Sequence, residues 1–162
     1  MQPTPTYSRR RGLAPPGENT RGRRLLAGLL DGTADDPPCA RLLNLPKATG
    51  WSPGRITSAT VFPEDLTLTP GVVFGGWIAC LVDHFAGLAM LSALPDGSAF
   101  LTAGLSVDYR APLFPGPADV EAEVTSCSTR HALVEIGFSQ AGRIAAVATV
   151  EQIISRTGER QG

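Results

Sequence analysis

The segment from Pro70 to Leu94 constrains the fold more than any other part of the chain, and it reads PGVVFGGWIACLVDHFAGLAMLSAL. Nearly every residue after the pair Gly75 and Gly76 is apolar, which predicts a helix buried on almost every side. A glycine pair at a helix start is typical of a place where another group approaches the backbone, and the first N–H groups of a helix have no partner inside it. One carboxylate, Asp83, lies in the middle of the segment. A charge inside an apolar helix is costly unless it is paired or used, so Asp83 is the first candidate for chemistry.

After this helix the apolar residues recur with a period of two, which is typical of half-buried strands. Four strands are predicted: Phe100–Ala111, one around Val120–Val124, one over Ala132–Phe138, and Arg143–Ser155. In the first strand, strict alternation puts two sets of residues on opposite faces: Leu101, Ala103, Leu105, Val107 and Tyr109 on one, and Thr102, Gly104, Ser106, Asp108 and Arg110 on the other.

Before the apolar helix, short helices are predicted over Arg21–Leu30, capped by Asn19 or Thr20, and from the pair Pro37–Pro38. Strands are predicted over Lys47–Trp51 and Arg55–Phe62. A single all-apolar helix must be wrapped by another element, and an antiparallel sheet can do this. The predicted fold is therefore α+β: the hotdog architecture, in which an antiparallel sheet curls around one long buried helix.

The 162 residues are enough for one domain with a real core. Residues 1–18 are rich in Pro, Arg and Gly and are predicted to be a disordered basic tail. Residues 19–157 are predicted to form a single hotdog domain, and residues 158–162 a frayed end. Residues 1–24 hold six Arg and one Glu, whereas the rest of the chain holds eight basic and fourteen acidic residues. Because only the tail is basic, no nucleic-acid partner is expected.

Other function classes are disfavoured by what the sequence lacks. Cys39, Cys80 and Cys127 are widely spaced, so no metal site is predicted, and reduced thiols in a cytoplasmic protein are the simplest interpretation. The chain has no G-x-S-x-G, Walker loop, HExxH or dinucleotide-binding motif, which argues against serine hydrolases, nucleotide enzymes and zinc enzymes. No membrane span is expected, because Asp83 and His84 lie at the centre of the apolar segment.

Two blocks of sequence together resemble the PaaI-like and THEM-like hotdog acyl-CoA thioesterases. The family pattern G-x-x-H-G-G, followed by an acid seven residues after the second Gly, is matched by Gly71, Gly75, Gly76 and Asp83. The family strand T-x-x-L-x-V-x-Y-x-x-P is matched by a second set of residues, namely Thr102, Leu105, Val107, Tyr109 and Pro112. The resemblance covers about residues 40 to 155.

The resemblance implies a thioesterase that hydrolyses acyl-CoA or acyl-carrier thioesters without a metal or other cofactor. It implies a homodimer or homotetramer, in which the helix start of one subunit faces the acid of the other. Carried over, the Gly75 and Gly76 amides would polarise the thioester carbonyl, and Asp83 would be general base or nucleophile. Thr102 would orient the water or the carboxylate, and Phe74 would be a substrate-binding residue beside the glycines.

Two positions depart from the family pattern: Phe74 replaces the usual His, and Leu68 replaces an Asn found in many members. These apolar replacements leave an alternative open, a non-catalytic hotdog protein that binds acyl thioesters or another apolar ligand. A hotdog dehydratase is a weaker alternative, because the loop before the helix has no His and Gly75 stands where such enzymes place a Glu.

Overall fold

The computed structural model describes residues 12–15, 17–68 and 71–156. Three helices and six strands lie within these residues: α1 Arg21–Asp31, α2 Pro38–Leu42, β1 Gly50–Ser52, β2 Arg55–Phe62, α3 Gly75–Ala93, β3 Ser98–Tyr109, β4 Gly116–Cys127, β5 His131–Gln140 and β6 Arg143–Arg156. The strands form one antiparallel sheet in the order β1-β2-β4-β5-β6-β3, and α3 contacts all six. The structure confirms the predicted hotdog fold.

Helix α3 supplies the centre of the core. Its sheet-facing residues include Ile78, Leu81, Val82, Phe85 and Met90, each at most 1% exposed. The alternating residues of β4, β5 and β6 meet this face, because successive side chains of a strand point to opposite sides. By length and composition α3 resembles a membrane span, yet most of it is buried inside the protein, as expected for a core helix.

One stripe of α3 is left uncovered by this chain. Gly76 and Asp83 are exposed, and Ala79, Cys80 and Gly87 are only half-buried. These positions recur every three or four residues, so they share one face of the helix. The expectation that Asp83 is buried is therefore wrong for the single chain, because a curled sheet covers only one side of the helix it wraps.

A β-bulge in β3 changes the predicted faces of that strand. Thr102 pairs with Gln152 and Gly104 with Glu151, so Ala103 has no partner in β6. Directly opposite residues share a face of a sheet, and a bulge shifts every following residue by one position. Thr102 therefore shares the helix-facing side with Leu105, whereas strict alternation placed these two residues on opposite faces.

The segment before α1 is held against the domain by a buried arginine. Thr20 caps α1, and Arg23 is 3% exposed. Among the described residues, its guanidinium donates to the backbone carbonyls of Ser92 at 2.8 Å, Pro15 and Glu18 at 2.6 Å, and Ala14 at 3.2 Å. The amide of Ala14 also donates to the carbonyl of Ala93, at 2.8 Å. Arg23, which belongs to α1, thus holds the backbone of Ala14, Pro15 and Glu18, near the end of the tail predicted over residues 1–18. Residues 1–11, 16 and 157–162 lie outside the described part of the chain.

Candidate active site

A chain of three hydrogen-bonded side chains lies where β3 and β6 cross α3. The hydroxyl of Thr102 donates to Oδ1 of Asp83 at 2.6 Å, and Nε2 of Gln152 donates to the Thr102 hydroxyl at 3.0 Å. A hydroxyl has a single hydrogen, so once it is given to the carboxylate the oxygen can only accept from its other neighbour. Both hydrogen bonds therefore run the same way: Gln152 donates to Thr102, and Thr102 donates to the carboxylate of Asp83.

This arrangement holds Asp83 by one oxygen only. Its Oδ2 makes no hydrogen bond to any residue that the structure describes, and the side chain lies on the exposed stripe of α3. A carboxylate fixed at one oxygen and free at the other can accept a proton or attack a carbon in a defined direction.

Gln152 is a residue that the sequence prediction missed. It is 1% exposed and lies on the buried face of β6, among alanines and valines. Its Oε1 is buried and has no hydrogen-bond partner within the described residues. A polar residue at an apolar position of an alternating strand was the available signal, because such a group is costly to bury without a bonded neighbour.

The start of α3 forms a second half of the site. Phe74 is the N-cap residue and provides no side-chain cap, and the amides of Gly75 and Gly76 have no acceptor among the described residues. Tyr109 donates from its hydroxyl to the Gly75 carbonyl at 2.6 Å, which ties the end of β3 to the helix start. The pKa of Tyr109 is raised by burial.

The ring of Phe74 closely approaches Gly76. A Cβ atom there would lie 2.5 Å from Cζ of Phe74, whose half-exposed ring folds over the helix start. The N–H groups of Gly75 and Gly76, which have no acceptor among the described residues, lie at the positive end of the helix dipole. They can donate to an oxygen on which negative charge develops.

The structure does not bring these two halves together in one chain. Asp83 lies seven residues beyond Gly76 in the same helix, a separation of about 10 Å along the axis. A carbonyl held by the glycine amides would be too far from the carboxylate of the same chain for hydrogen-bonded proton transfer. Asp83 and Thr102 form one group, and Phe74, Gly75 and Gly76 form another.

An apolar cavity of about 290 Å³ opens beside Asp83 and His84. Its apolar wall comes from α1, α3 and β3, and includes Leu25, Leu29, Leu30, Leu88, Leu91 and Phe100. Nε2 of His84 lies 3.0 Å from the carbonyl of Pro46, so that nitrogen carries the proton. Burial lowers the pKa of His84, against the hydrogen bond to Pro46 and the nearby carboxylates of Asp83 and Asp36. His84 is thus a structural group of the cavity wall.

No group of three or more His, Cys, Asp or Glu side chains within the described ranges is placed to hold a metal ion.

Comparisons with known proteins agree with this architecture. A family model described as the thioesterase superfamily matches residues 70–147. A Saccharolobus solfataricus protein whose name proposes an esterase is 30% identical over 118 residues, which is 72% of this chain and 79% of that protein.

Solved structures show the same fold at low sequence identity. A thioesterase from Haemophilus influenzae superposes with a TM-score of 0.72 at 14% identity, covering 85% of this chain and 94% of that one. The PaaI protein of the Escherichia coli phenylacetic acid degradation operon gives a TM-score of 0.69 at 17% identity, covering 83% of this chain and 95% of that one. The chain belongs to the thioesterase superfamily and has the hotdog fold.

Proposed function

We propose that this protein hydrolyses acyl-CoA or acyl-carrier thioesters, with Asp83 as the acting carboxylate. The observation that carries the proposal is the carboxylate of Asp83, held at one oxygen and free at the other, in the lining of an apolar cavity. A thioester joins an apolar acyl group to a polar carrier, so its carbonyl would sit where the cavity meets the exposed stripe of α3.

In the proposed reaction, Asp83 takes a proton from water as that water attacks the thioester carbon. The carbonyl oxygen becomes negative in the tetrahedral intermediate and accepts hydrogen bonds from the Gly75 and Gly76 amides. The carbon–sulfur bond then breaks, the thiolate leaves and takes up a proton, and the acid product remains. Direct attack by Asp83 would instead form an anhydride that water hydrolyses to the same products.

The reaction requires a second copy of the chain, because one chain keeps the two halves of the site about 10 Å apart. β3 is an edge strand, and its outer residue Leu101 is 69% exposed. Open edges of this kind pair with another strand, and a two-fold pairing would present the helix start of one subunit to Asp83 of its partner. We therefore propose a homodimer, or a tetramer of such dimers.

The mechanism does not use the His and Asn of the family pattern that Phe74 and Leu68 replace. The carbonyl is polarised by backbone N–H groups, which no side-chain change deletes, and Phe74 adds an apolar surface over the helix start. These two apolar residues are the observation that favours the second candidate, a non-catalytic protein that binds acyl thioesters. No cofactor or metal is assigned a role, and the cytoplasm is the proposed location.

The test is a thiol-release assay on a panel of aliphatic and aromatic acyl-CoAs, run with a metal chelator present. Saturable release of CoA above the buffer rate is the expected result. If CoA is released at the buffer rate from every thioester, but acyl-CoA raises the melting temperature of the protein, then the protein binds thioesters without hydrolysing them.

Subunit complementation is expected if the site is shared between chains. Asp83→Asn and Gly76→Val should each be inactive as homodimers, the second because the added side chain displaces the Phe74 ring and covers the amides at the helix start. A heterodimer purified through two different tags should recover about half of the wild-type activity per dimer, since one of its two sites contains neither change. An inactive heterodimer, or a monomer by light scattering, would show that the shared-site proposal is wrong.

Thr102→Val is expected to lower kcat about ten- to a hundredfold with little change in KM. Valine has the same shape but removes a hydrogen bond to a charged group, worth about 1.5–3 kcal/mol, which is converted at 1.36 kcal/mol per tenfold. Thr102→Ser should retain most of the rate, and Thr149→Val, on the outer face of β6, is the matched control. An unchanged kcat in Thr102→Val would remove this residue from the reaction.

A further inference from the structure

Gly87 is an internal helix residue whose lack of a side chain is not explained by crowding. It lies in the middle of α3, where glycine is among the least favourable residues for a helix. A Cβ atom at Gly87 would meet only Cε2 of Phe100, at 3.9 Å, which is ordinary van der Waals contact. Gly76 in the same helix differs, because its Cβ would collide with Phe74.

The space that Gly87 leaves open belongs to the cavity beside Asp83. Both residues line that cavity, and they are four positions apart, so they lie on the same face of the helix one turn from each other. Phe100, the one neighbour of the missing Cβ, forms part of the opposite wall. A side chain at position 87 would project into the space that begins at the carboxylate.

Two polar side chains on the cavity wall, those of Lys47 and His84, have partners within the protein. Nζ of Lys47 lies 3.3 Å from Oδ2 of Asp36 and donates to the carbonyl of Leu29, also at 3.3 Å. His84 is bonded to Pro46. Asp35 and Asp83 also line the cavity, but the leucines of α1 and α3 make most of the wall apolar, which favours an apolar occupant.

We propose that this cavity binds the acyl group of the thioester and that Gly87 sets its depth, a proposal that rests on the thioesterase function above. One water molecule takes up about 30 Å³ in the liquid, and a carbon atom of an acyl chain needs a similar volume. The cavity of about 290 Å³ can therefore hold an apolar acyl group of up to about ten heavy atoms. Helix α1, which lies before the predicted family resemblance, supplies the far wall through Leu25, Leu29 and Leu30. Because α1 forms part of the cavity wall, its leucines also influence which acyl groups the protein accepts.

The test compares octanoyl-CoA with acetyl-CoA in Gly87→Ala and Gly87→Leu, with Ala27→Leu on the exposed face of α1 as control. A Cβ atom at position 87 meets no backbone atom within 4 Å, so a folded Gly87→Ala protein with an unchanged or higher melting temperature is expected, and the melting temperature of Gly87→Leu is measured beside it. The ratio of kcat/KM for octanoyl-CoA to that for acetyl-CoA should fall in a graded way, by at least about tenfold for Gly87→Leu. Ala27→Leu should leave the ratio at its wild-type value.

A binding measurement separates failure of this proposal from failure of the thioesterase function. The dissociation constants of the thioethers octyl-CoA and ethyl-CoA are measured by calorimetry in the same variants. A weaker octyl-CoA complex in Gly87→Leu supports the acyl pocket even if the wild type hydrolyses no thioester. Equal effects on octyl and ethyl ligands, or none, would overturn the pocket whether or not hydrolysis is found.

Discussion

Replacing Asp83 with asparagine is expected to lower kcat/KM for thioester hydrolysis by about 10²- to 10⁴-fold, the range observed for loss of a general base. Asparagine keeps the size of the side chain and an oxygen that can accept from Thr102, but it takes no proton from water at neutral pH. The measurement is steady-state release of CoA, together with the melting temperature. Because Asp83 is exposed on α3, the melting temperature should change little.

The control for this variant is Asp108→Asn, which changes an exposed carboxylate on the outer face of β3. Asp108 is paired with Arg110 at 3.0 Å and is remote from Thr102, so hydrolysis should continue at the wild-type rate. Equal activity in Asp83→Asn and the wild type would contradict the assignment of Asp83.

Replacing Arg23 with alanine is expected to lower the free energy of unfolding by about 3 kcal/mol or more, the range for breaking a buried charged hydrogen-bond network. The carbonyls of Ser92 in α3 and of Ala14 and Pro15 before α1 are among those that lose their donor. In a chain of this size the loss corresponds to a fall in Tm of roughly 6–12 °C. Urea unfolding and thermal unfolding measure it.

Arg24→Ala is the matched control for Arg23→Ala, because it removes the same group from the next position. Arg24 is exposed, and within the part of the chain that the structure describes its side chain donates to the carbonyl of Asn19. Its loss should cost less than about 0.5 kcal/mol, as is usual for surface substitutions. Similar costs for the two arginines would mean that the buried guanidinium does not anchor the N-terminal segment.

Most of the fold followed from the pattern of apolar residues. The all-apolar run after Gly75 predicted the central helix, and the alternation in Val120–Val124 and Ala132–Phe138 predicted strands that the structure confirms. Each of these predictions depends on side chains within one element. The choice of Asp83 as candidate came from the same source, since a lone carboxylate in an apolar helix is conspicuous in sequence.

The site was only partly predictable, because its parts meet through pairing between distant strands. Alternation placed Thr102 on the face opposite Leu105, and the bulge at Ala103 puts them on the same face. Gln152 reaches Thr102 from fifty residues further along the chain. No local pattern encodes that register, which depends on how the whole of β3 fits against β6.

The sequence by itself determined which segments are helix and strand, and which carboxylate stands in apolar surroundings, because both depend on the spacing of neighbouring side chains. Only the tertiary structure decided that Asp83 stays exposed, that Thr102 and Gln152 line up behind it, and that Arg23 is buried. These outcomes depend on which surfaces the curled sheet covers and on the register of its strands, and both are set by packing over the whole domain.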